Sequence, residues 1–235
     1  MSEVGERLAE VLEQIAAAHA RRRVAAPEPI LIGASKSQPR ERIRAAVEAG
    51  LHRLGENRVQ EAIAKAAGLP SEIEWHLFGP LQSNKVRRAL DLFRVVHSVD
   101  RPKIARALDR GAAERRLVVD GFLEINLGDE ASKHGFAVEG LASAVAPLAE
   151  LEHLRINGLM AVPPFGDDAE ASRPWFRRLR ELRDEIFSRP EWAGSAGWLS
   201  MGMSGDFGVA IEEGATHVRV GTAIFGERSR TAEDD

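Results

Sequence analysis

The feature that most constrains the fold is a regular alternation between short apolar segments and amphipathic helical patterns. Each apolar segment is followed by hydrophobic residues at helical spacing, and the pair recurs along the chain. Such alternation predicts a parallel sheet, and eight units in 235 residues predict a closed (β/α)8 TIM barrel rather than an open sheet. The predicted strands are 30–36, 52–55, 74–79, 95–99, 117–127, 155–162, 198–201 and 217–221.

An additional helix precedes the first predicted strand. Leu8, Val11 and Ile15 belong to a hydrophobic pattern at helical spacing, which predicts a helix over 3–20 within an N-terminal segment 1–24. We expect this helix to cap the fold. The helices between the strands are predicted at 39–49, 57–67, 81–92, 101–113, 138–150, 172–188 and 206–213.

Composition narrows the class of protein. With 44% hydrophobic residues the chain can form one sizeable core, so we expect a single domain over 1–235 with a disordered tail at 229–235. A net charge of -4 argues against a nucleic-acid surface. The chain has no cysteine, no secretion signal and no apolar run long enough for a membrane helix, which fits a cytoplasmic protein.

Two turns near the carboxyl end have the form of phosphate-binding sites. Ser204 and Gly205 follow the seventh strand and precede a helical pattern, and Gly221 and Thr222 repeat the arrangement after the eighth strand. Backbone N–H groups at such a turn can bind a phosphate, and TIM barrels commonly bind one after strands seven and eight. The sequence therefore predicts a phosphorylated ligand at this end of the barrel.

Lys36 ends the first strand at the same end of the barrel. Alternation places it on the same side as Ile32 and Ala34, so we expect it to point into the barrel mouth. The alternative is an ordinary strand-end lysine whose ammonium group reaches solvent. A desolvated lysine is suited to Schiff-base formation. Together with two phosphate turns, such a lysine points to pyridoxal 5′-phosphate (PLP).

Other polar residues have two interpretations each. Arg219 should point inward, toward the ligand or toward a structural ion pair. Asn57 follows the second strand and either faces the barrel mouth or caps the next helix. His76 is expected to be a hydrogen-bonded core histidine. The spacing of 129–130 with His134 fits no ligand set, so no metal site is predicted.

Several motifs, in order along the chain, carry a resemblance to a known family. They are 33–36 (GASK), 55–57 (GEN), 75–76 (WH), 81–85 (LQSNK), 97–100 (HSVD), 132–136 (SKHGF), 158–161 (GLMA), 199–206 (LSMGMSGD) and 218–226 (VRVGTAIFG). From about residue 30 to 228 the chain resembles the pyridoxal phosphate homeostasis protein family, of the YggS/PROSC type. The resemblance implies one barrel like the N-terminal domain of alanine racemase.

The resemblance also implies roles for individual residues. Lys36 would form the aldimine with PLP, and Arg219 would lie near the pyridine nitrogen. The residues implied at the phosphate are Ser204, Gly221 and Thr222, and those implied along the rest of the pocket are Asn57, Ser200 and Met203. Lys133 matches a family lysine in a mobile loop that assists cofactor handling. Pro80 departs from the family, which has histidine there.

Three functions are compatible with such a site. The first is a non-catalytic carrier that holds PLP and supplies it to apo-enzymes, and we favour it. The second is an amino-acid racemase, which in the alanine type needs a tyrosine and a second, β-rich domain; the chain has no tyrosine. An arginine at the ring nitrogen also keeps that nitrogen unprotonated, which weakens most PLP catalysis. The third is a class I aldolase. Because no catalytic residue from a partner subunit is needed, we expect a monomer.

Overall fold

The computed structural model describes residues 2–128, 134–164, 166 and 168–227, and its strands form a closed parallel barrel. Eight strands follow one another around the ring, and the pairing of the fourth with the fifth closes it. The predicted TIM barrel is therefore confirmed. The strands are β1 Ile30–Ala34, β2 Arg53–Glu56, β3 Glu74–Leu77, β4 Val95–Val99, β5 Val119–Asn126, β7 Leu154–Met160, β8 Trp198–Ser200 and β9 His217–Val220, while β6 Phe136–Ala137 pairs only with β5.

Helices precede, separate and follow the barrel strands. They are α1 Glu3–Arg21, α2 Arg40–Glu48, α3 Val59–Ala66, α4 Val86–Ala89, α5 Pro102–Glu114, α6 Leu141–Val145, α7 Arg173–Phe187, α8 Phe207–Glu212 and α9 Thr222–Phe225. The helix predicted at 138–150 is shorter than expected: a 3-10 turn containing Pro147 follows α6, because proline has no N–H for the α-helical hydrogen bond. None of the helices in the described residues is long and apolar enough to cross a membrane.

The predicted N-terminal helix is confirmed as α1, which packs on the outside of the barrel. Its Ser2 hydroxyl accepts a hydrogen bond from the Gly5 N–H, which caps the first turn. The apolar face packs against α8, α9 and α2. The residues of α1 that this packing buries are Val4, Leu8, Val11, Ile15 and Ala18. The tail predicted at 229–235 lies outside the described residues, and so does Lys133, to which the family resemblance gave a role in cofactor handling.

A buried carboxylate joins α7 to the loop after α8. The Glu213 side chain is 8% exposed and accepts hydrogen bonds from Arg173 (3.2 Å), Arg177 (3.4 Å) and Arg180 (2.7 Å). Burial raises the pKa of Glu213, but the hydrogen bonds from Arg173 and Arg177 outweigh it, so the pKa lies below its ordinary value. The ion pairs therefore stabilise the fold wherever this carboxyl is ionised.

Replacing Glu213 with glutamine should lower the free energy of unfolding by about 2 kcal/mol at neutral pH, because the partly exposed guanidinium groups of Arg177 and Arg180 lose this counter-charge, whereas Arg173 keeps two other carboxylates. A group whose pKa is depressed on folding contributes stability above its unfolded pKa and loses it as the pH falls. The deficit should consequently shrink in acid. Denaturant unfolding at pH 7 and pH 3, with the exposed Glu191→Gln as control, would contradict this account if the deficit stayed constant.

Candidate functional site

A cavity of about 330 Å³ opens at the carboxyl ends of the barrel strands. This volume lies in the range of ligand pockets, roughly 300–1,000 Å³. The cavity is lined by Ala34, Lys36, Gln38, Asn57, Phe78, Glu124, Met160, Val162, Met203, Ser204, Gly205, Arg219, Gly221 and Thr222. Every site residue predicted from the sequence lines it, except Ser200. A larger cavity of about 500 Å³ lies beside α1 at the start of β1, away from these side chains.

Lys36 reaches the cavity because of how the end of β1 is held. Ser35, buried and on the other side of the strand, donates its hydroxyl to Glu56 at 2.7 Å and offers its carbonyl to the Lys65 ammonium at 2.7 Å. Glu56 and Lys65 also form an ion pair at 2.7 Å. Next to Lys36, Ser37 adopts a positive φ of 57°, so the backbone turns away from the direction of the strand at this residue. Lys36 is partly buried, and both it and Ala34 face the cavity, as alternation predicted.

The two predicted phosphate turns meet through one hydroxyl. The Ser204 oxygen accepts hydrogen bonds from the backbone N–H groups of Gly221 (3.1 Å) and Ala223 (3.2 Å). Asp206 holds the first turn by accepting the Met203 N–H at 2.7 Å. A side chain at Gly221 would crowd the strand, since its Cβ would lie 3.1 Å from the Ala34 carbonyl oxygen. The turns therefore bring backbone donors and hydroxyl groups to one end of the cavity.

Arg219 lies on the cavity floor and is 5% exposed. Its guanidinium donates to the Ser200 hydroxyl (2.6 Å) and to the Ala161 carbonyl (3.0 Å), and it stands 5.8 Å from the centre of the Phe78 ring. Burial lowers the pKa of Arg219 to about 10, against the attraction of Asp206 and Glu124. The arginine is thus still cationic at neutral pH. The predicted inward orientation is confirmed.

Ser200 was expected to line the pocket, but it does not lie among the residues that line the cavity. Its side chain is fully buried below Arg219, between the guanidinium and the Nδ1 atom of His97 (2.8 Å). It therefore contacts the site through Arg219. Asn57 does line the cavity, and α3 begins at Val59 with Arg58, not Asn57, at its N-cap, so the helix-cap alternative for Asn57 is not what the structure has.

Sequence reasoning did not single out Glu124, Phe78 or Gln38, which also line the cavity. β5 carries two charged residues, Asp120 and Glu124, and Glu124 was detectable as the one in the carboxyl half of the strand, nearer the cavity. Burial and the nearby Asp100 raise the pKa of Glu124 from its ordinary 4.5 to about 7, although Arg219 acts in the opposite direction. A carboxyl group that titrates near neutral pH therefore faces Arg219.

Glu124 should make the protein less stable as the pH rises. A carboxyl whose pKa is raised on folding contributes stability below its unfolded pKa and loses it as the pH passes the folded value, here between about 4.5 and 7. Glu124→Gln should thus match the parent protein at pH 5 and exceed it at pH 8 by about 1 kcal/mol, or about 2–4 °C in Tm. Thermal unfolding without ligand measures this. An equal difference at both pH values, or the same gain in the exposed Glu139→Gln, would refute it.

Comparison with known proteins identifies the family. The alanine racemase N-terminal domain family matches residues 12–229. The chain belongs to this family. A pyridoxal phosphate homeostasis protein of Aquifex aeolicus (strain VF5) is 44% identical over 95% of this chain and 97% of its own length. The one from Escherichia coli (strain K12) is 36% identical over 97% of this chain and 98% of its own. The resemblance seen in the sequence motifs is therefore confirmed.

Solved structures agree with this assignment. PipY of Synechococcus elongatus PCC7942, with PLP bound, is 38% identical, with a TM-score of 0.83 over 95% of this chain and 100% of PipY. An alanine racemase of Corynebacterium glutamicum has a TM-score of 0.67 at 18% identity, and this chain covers 61% of it. That second likeness concerns the fold alone.

Proposed function

We propose that this protein binds PLP through a Schiff base to Lys36 and acts as a non-catalytic carrier in PLP homeostasis, supplying the cofactor to apo-enzymes. The observation that carries the proposal is the cavity in which Lys36, the turns at Ser204 and Gly221, and Arg219 face one another. The PLP-bound state of PipY and the names of the homeostasis relatives support it. A cytoplasmic location and a monomeric state stay predictions.

The residues present fit this cofactor. PLP has an aldehyde, which needs a primary amine, and Lys36 supplies one at the strand end. It has a phosphate, which needs hydrogen-bond donors, and the two turns provide hydroxyl and N–H groups. Gln38 is 6% exposed and lines the cavity, and its Oε1 has no hydrogen-bond partner among the described residues. A buried polar atom of this kind fits a site that a polar ligand completes.

Each residue would have a separate task. When bound, PLP supplies an electrophilic aldehyde and an electron-withdrawing ring. Lys36 would hold the aldehyde carbon, and Ser204, Gly221 and Thr222 would hold the phosphate. Arg219, a donor that stays charged, would donate to the ring nitrogen and keep it unprotonated, while Asn57 and Met203 would bound the ring. An unprotonated ring withdraws electrons weakly, which favours a carrier over a catalyst.

The first test is a visible absorption spectrum of the protein with PLP, before and after borohydride, followed by peptide mass mapping. We expect a reducible band and one pyridoxyl adduct on Lys36. Loss of the band after incubation with a PLP-requiring apo-enzyme, with gain of that enzyme's activity, would support the carrier role. No band and no adduct would overturn PLP binding, and sugar phosphates with borohydride would then test the aldolase alternative.

A racemase is the second candidate, because the fold is shared with alanine racemases. Incubating the PLP-loaded protein with L-alanine and separating the enantiomers by chiral chromatography decides between the two. We expect no D-alanine above the level given by free PLP. Formation of D-alanine that depends on Lys36 would overturn the non-catalytic proposal.

A further inference from the structure

A chain of hydrogen bonds runs through the barrel interior from Arg219 to the opposite end. Arg219 Nη1 donates to Ser200 Oγ (2.6 Å), and Ser200 Oγ lies 2.8 Å from His97 Nδ1. His97 Nε2 lies 2.9 Å from His76 Nδ1, and His76 Nε2 lies 2.7 Å from Glu74 Oε1. Glu74 is the first residue of β3 and its side chain is 45% exposed. The chain thus connects the cavity floor with the far mouth of the barrel.

With both histidines neutral and Glu74 ionised, only one arrangement of protons satisfies every bond in this chain. An ionised Glu74 can only accept, so the proton of His76 is on Nε2 and its Nδ1 accepts from His97 Nε2–H. His97 Nδ1 then accepts from the Ser200 hydroxyl, which leaves the oxygen of Ser200 to accept from Arg219. Burial lowers the pKa of both histidines, so both are neutral, and the hydrogen bond from His76 lowers the pKa of Glu74.

The packing around the chain leaves little freedom for other orientations. His97 is fully buried and stacks on Phe122, with ring centres 4.3 Å apart and planes inclined by 6°. The ring of Phe78 stands nearly perpendicular to that of His97, with planes inclined by 85° and ring centres 5.0 Å apart. His76 is 1% exposed. At the open end, Arg53 Nε lies 3.7 Å from Glu74 and adds a positive charge that favours the carboxylate.

We propose that Ser200, His97, His76 and Glu74 form a polarised positioning chain that fixes the orientation of the Arg219 guanidinium at the cavity floor. The donor direction runs from the arginine to the carboxylate, so the hydroxyl of Ser200 is always presented to Arg219 as an acceptor. With Nη1 on Ser200 and Nη2 on Ala161, the plane of the guanidinium is set. This proposal rests on the proposed function insofar as Arg219 is to meet the ring of the cofactor.

The decisive test needs no cofactor. In protein with ¹⁵N-labelled histidine and arginine, NMR should find His76 and His97 neutral with the proton on Nε2, and should find Arg219 with slow guanidinium rotation. His97→Gln keeps the polarity, because its amide oxygen accepts from Ser200 and its NH₂ donates to His76. His97→Leu breaks it. We expect Arg219 to stay rigid in His97→Gln and to become mobile in His97→Leu, with the exposed His52→Leu unchanged.

A separate pair of variants tests Glu74, at the exposed end of the hydrogen-bond chain. Glu74→Leu removes the acceptor, so the His76 form with the proton on Nδ1 should become detectable, whereas the exposed Glu72→Leu should leave the tautomer unchanged. A proton on Nδ1 of His97 in the unaltered protein overturns the proposal. So does an Arg219 as rigid in His97→Leu as in the unaltered protein.

Cofactor binding supplies the second readout. Retention of PLP should weaken about tenfold in His97→Leu, as for a lost hydrogen bond to a charged group, and by less than about threefold in His97→Gln. Equal weakening in both variants would overturn the positioning role. If the unaltered protein takes up no PLP while the predicted tautomers are observed, the proposed function fails and the positioning chain stands.

Discussion

Lys36→Ala should abolish the covalent attachment of PLP and leave the barrel folded. Without a primary amine at the end of β1, no carbon–nitrogen bond to the aldehyde can form, and borohydride should fix no pyridoxyl group at this site. The turns at Ser204 and Gly221 remain, so weak non-covalent binding of PLP should persist. Lys36 lies two residues beyond β1 and is only partly buried, so the free energy of unfolding should change by less than about 1 kcal/mol.

Variants of two other lysines serve as controls, because they distinguish the loss of the reactive amine from the general effect of removing a lysine. Lys103→Ala, at an exposed position of α5, should behave as the parent protein. Lys65→Met should lower stability because Glu56, whose side chain is fully buried, loses the ammonium that pairs with it. Since the Ser35 carbonyl also loses its donor, labelling of Lys36 should weaken in this variant, but unlike in Lys36→Ala it should not be abolished. Peptide mass mapping after borohydride reads out all three variants. A stoichiometric adduct in Lys36→Ala would refute the assignment.

The sequence was sufficient for the barrel and for the groups that a strand or turn presents directly. Alternation along β1 and β9 placed Lys36 and Arg219 on the correct side, because the side-chain period of a strand is fixed at two. The turns at Ser204 and Gly221 were predicted from their position after the last two strands. Such inferences are local: they need only the neighbouring residues and the direction of the strand.

The sequence could not predict how deep a side chain lies inside the barrel, or which side chains contact each other across it. The family resemblance implied that Ser200 lines the pocket, but not that Arg219 lies between it and the cavity. The bond between His97 and Ser200 joins residues 103 positions apart, and no periodicity encodes such a pair. His76 was expected to be a hydrogen-bonded core histidine, and this is confirmed by its bonds to His97 and Glu74.

The structure also determines which substitution of Arg219 is informative. From the sequence, an aspartate would be the natural replacement for reversing the protonation of the ring nitrogen. Glu124 and Asp206, however, are the negative charges that act on Arg219 in its buried position. A carboxylate placed there would face both, and it would take up a proton rather than ionise. A neutral replacement therefore tests the arginine more cleanly.

Arg219→Leu should lower the free energy of unfolding by about 3 kcal/mol, or about 6–12 °C in Tm. The substitution leaves the Ser200 hydroxyl and the Ala161 carbonyl without their buried donor, and it removes the cation from Glu124 and Asp206. Arg219→Lys keeps the charge, but a single ammonium cannot reproduce the planar pair of bonds, so its loss should be about half as large. Denaturant unfolding of the protein without PLP measures both.

The pH dependence identifies the cause of that loss. Because Arg219 lowers the pKa of Glu124, its removal should raise that pKa further and move the neutral-pH fall in stability to higher pH. The double variant Arg219→Leu with Glu124→Gln should recover part of the lost stability at pH 8 and none at pH 5. A loss below about 1 kcal/mol in the single variant, or no recovery in the double one, would mean that the guanidinium does not balance these charges. Arg219 would then serve the ligand alone, and its burial in the ligand-free barrel would cost stability.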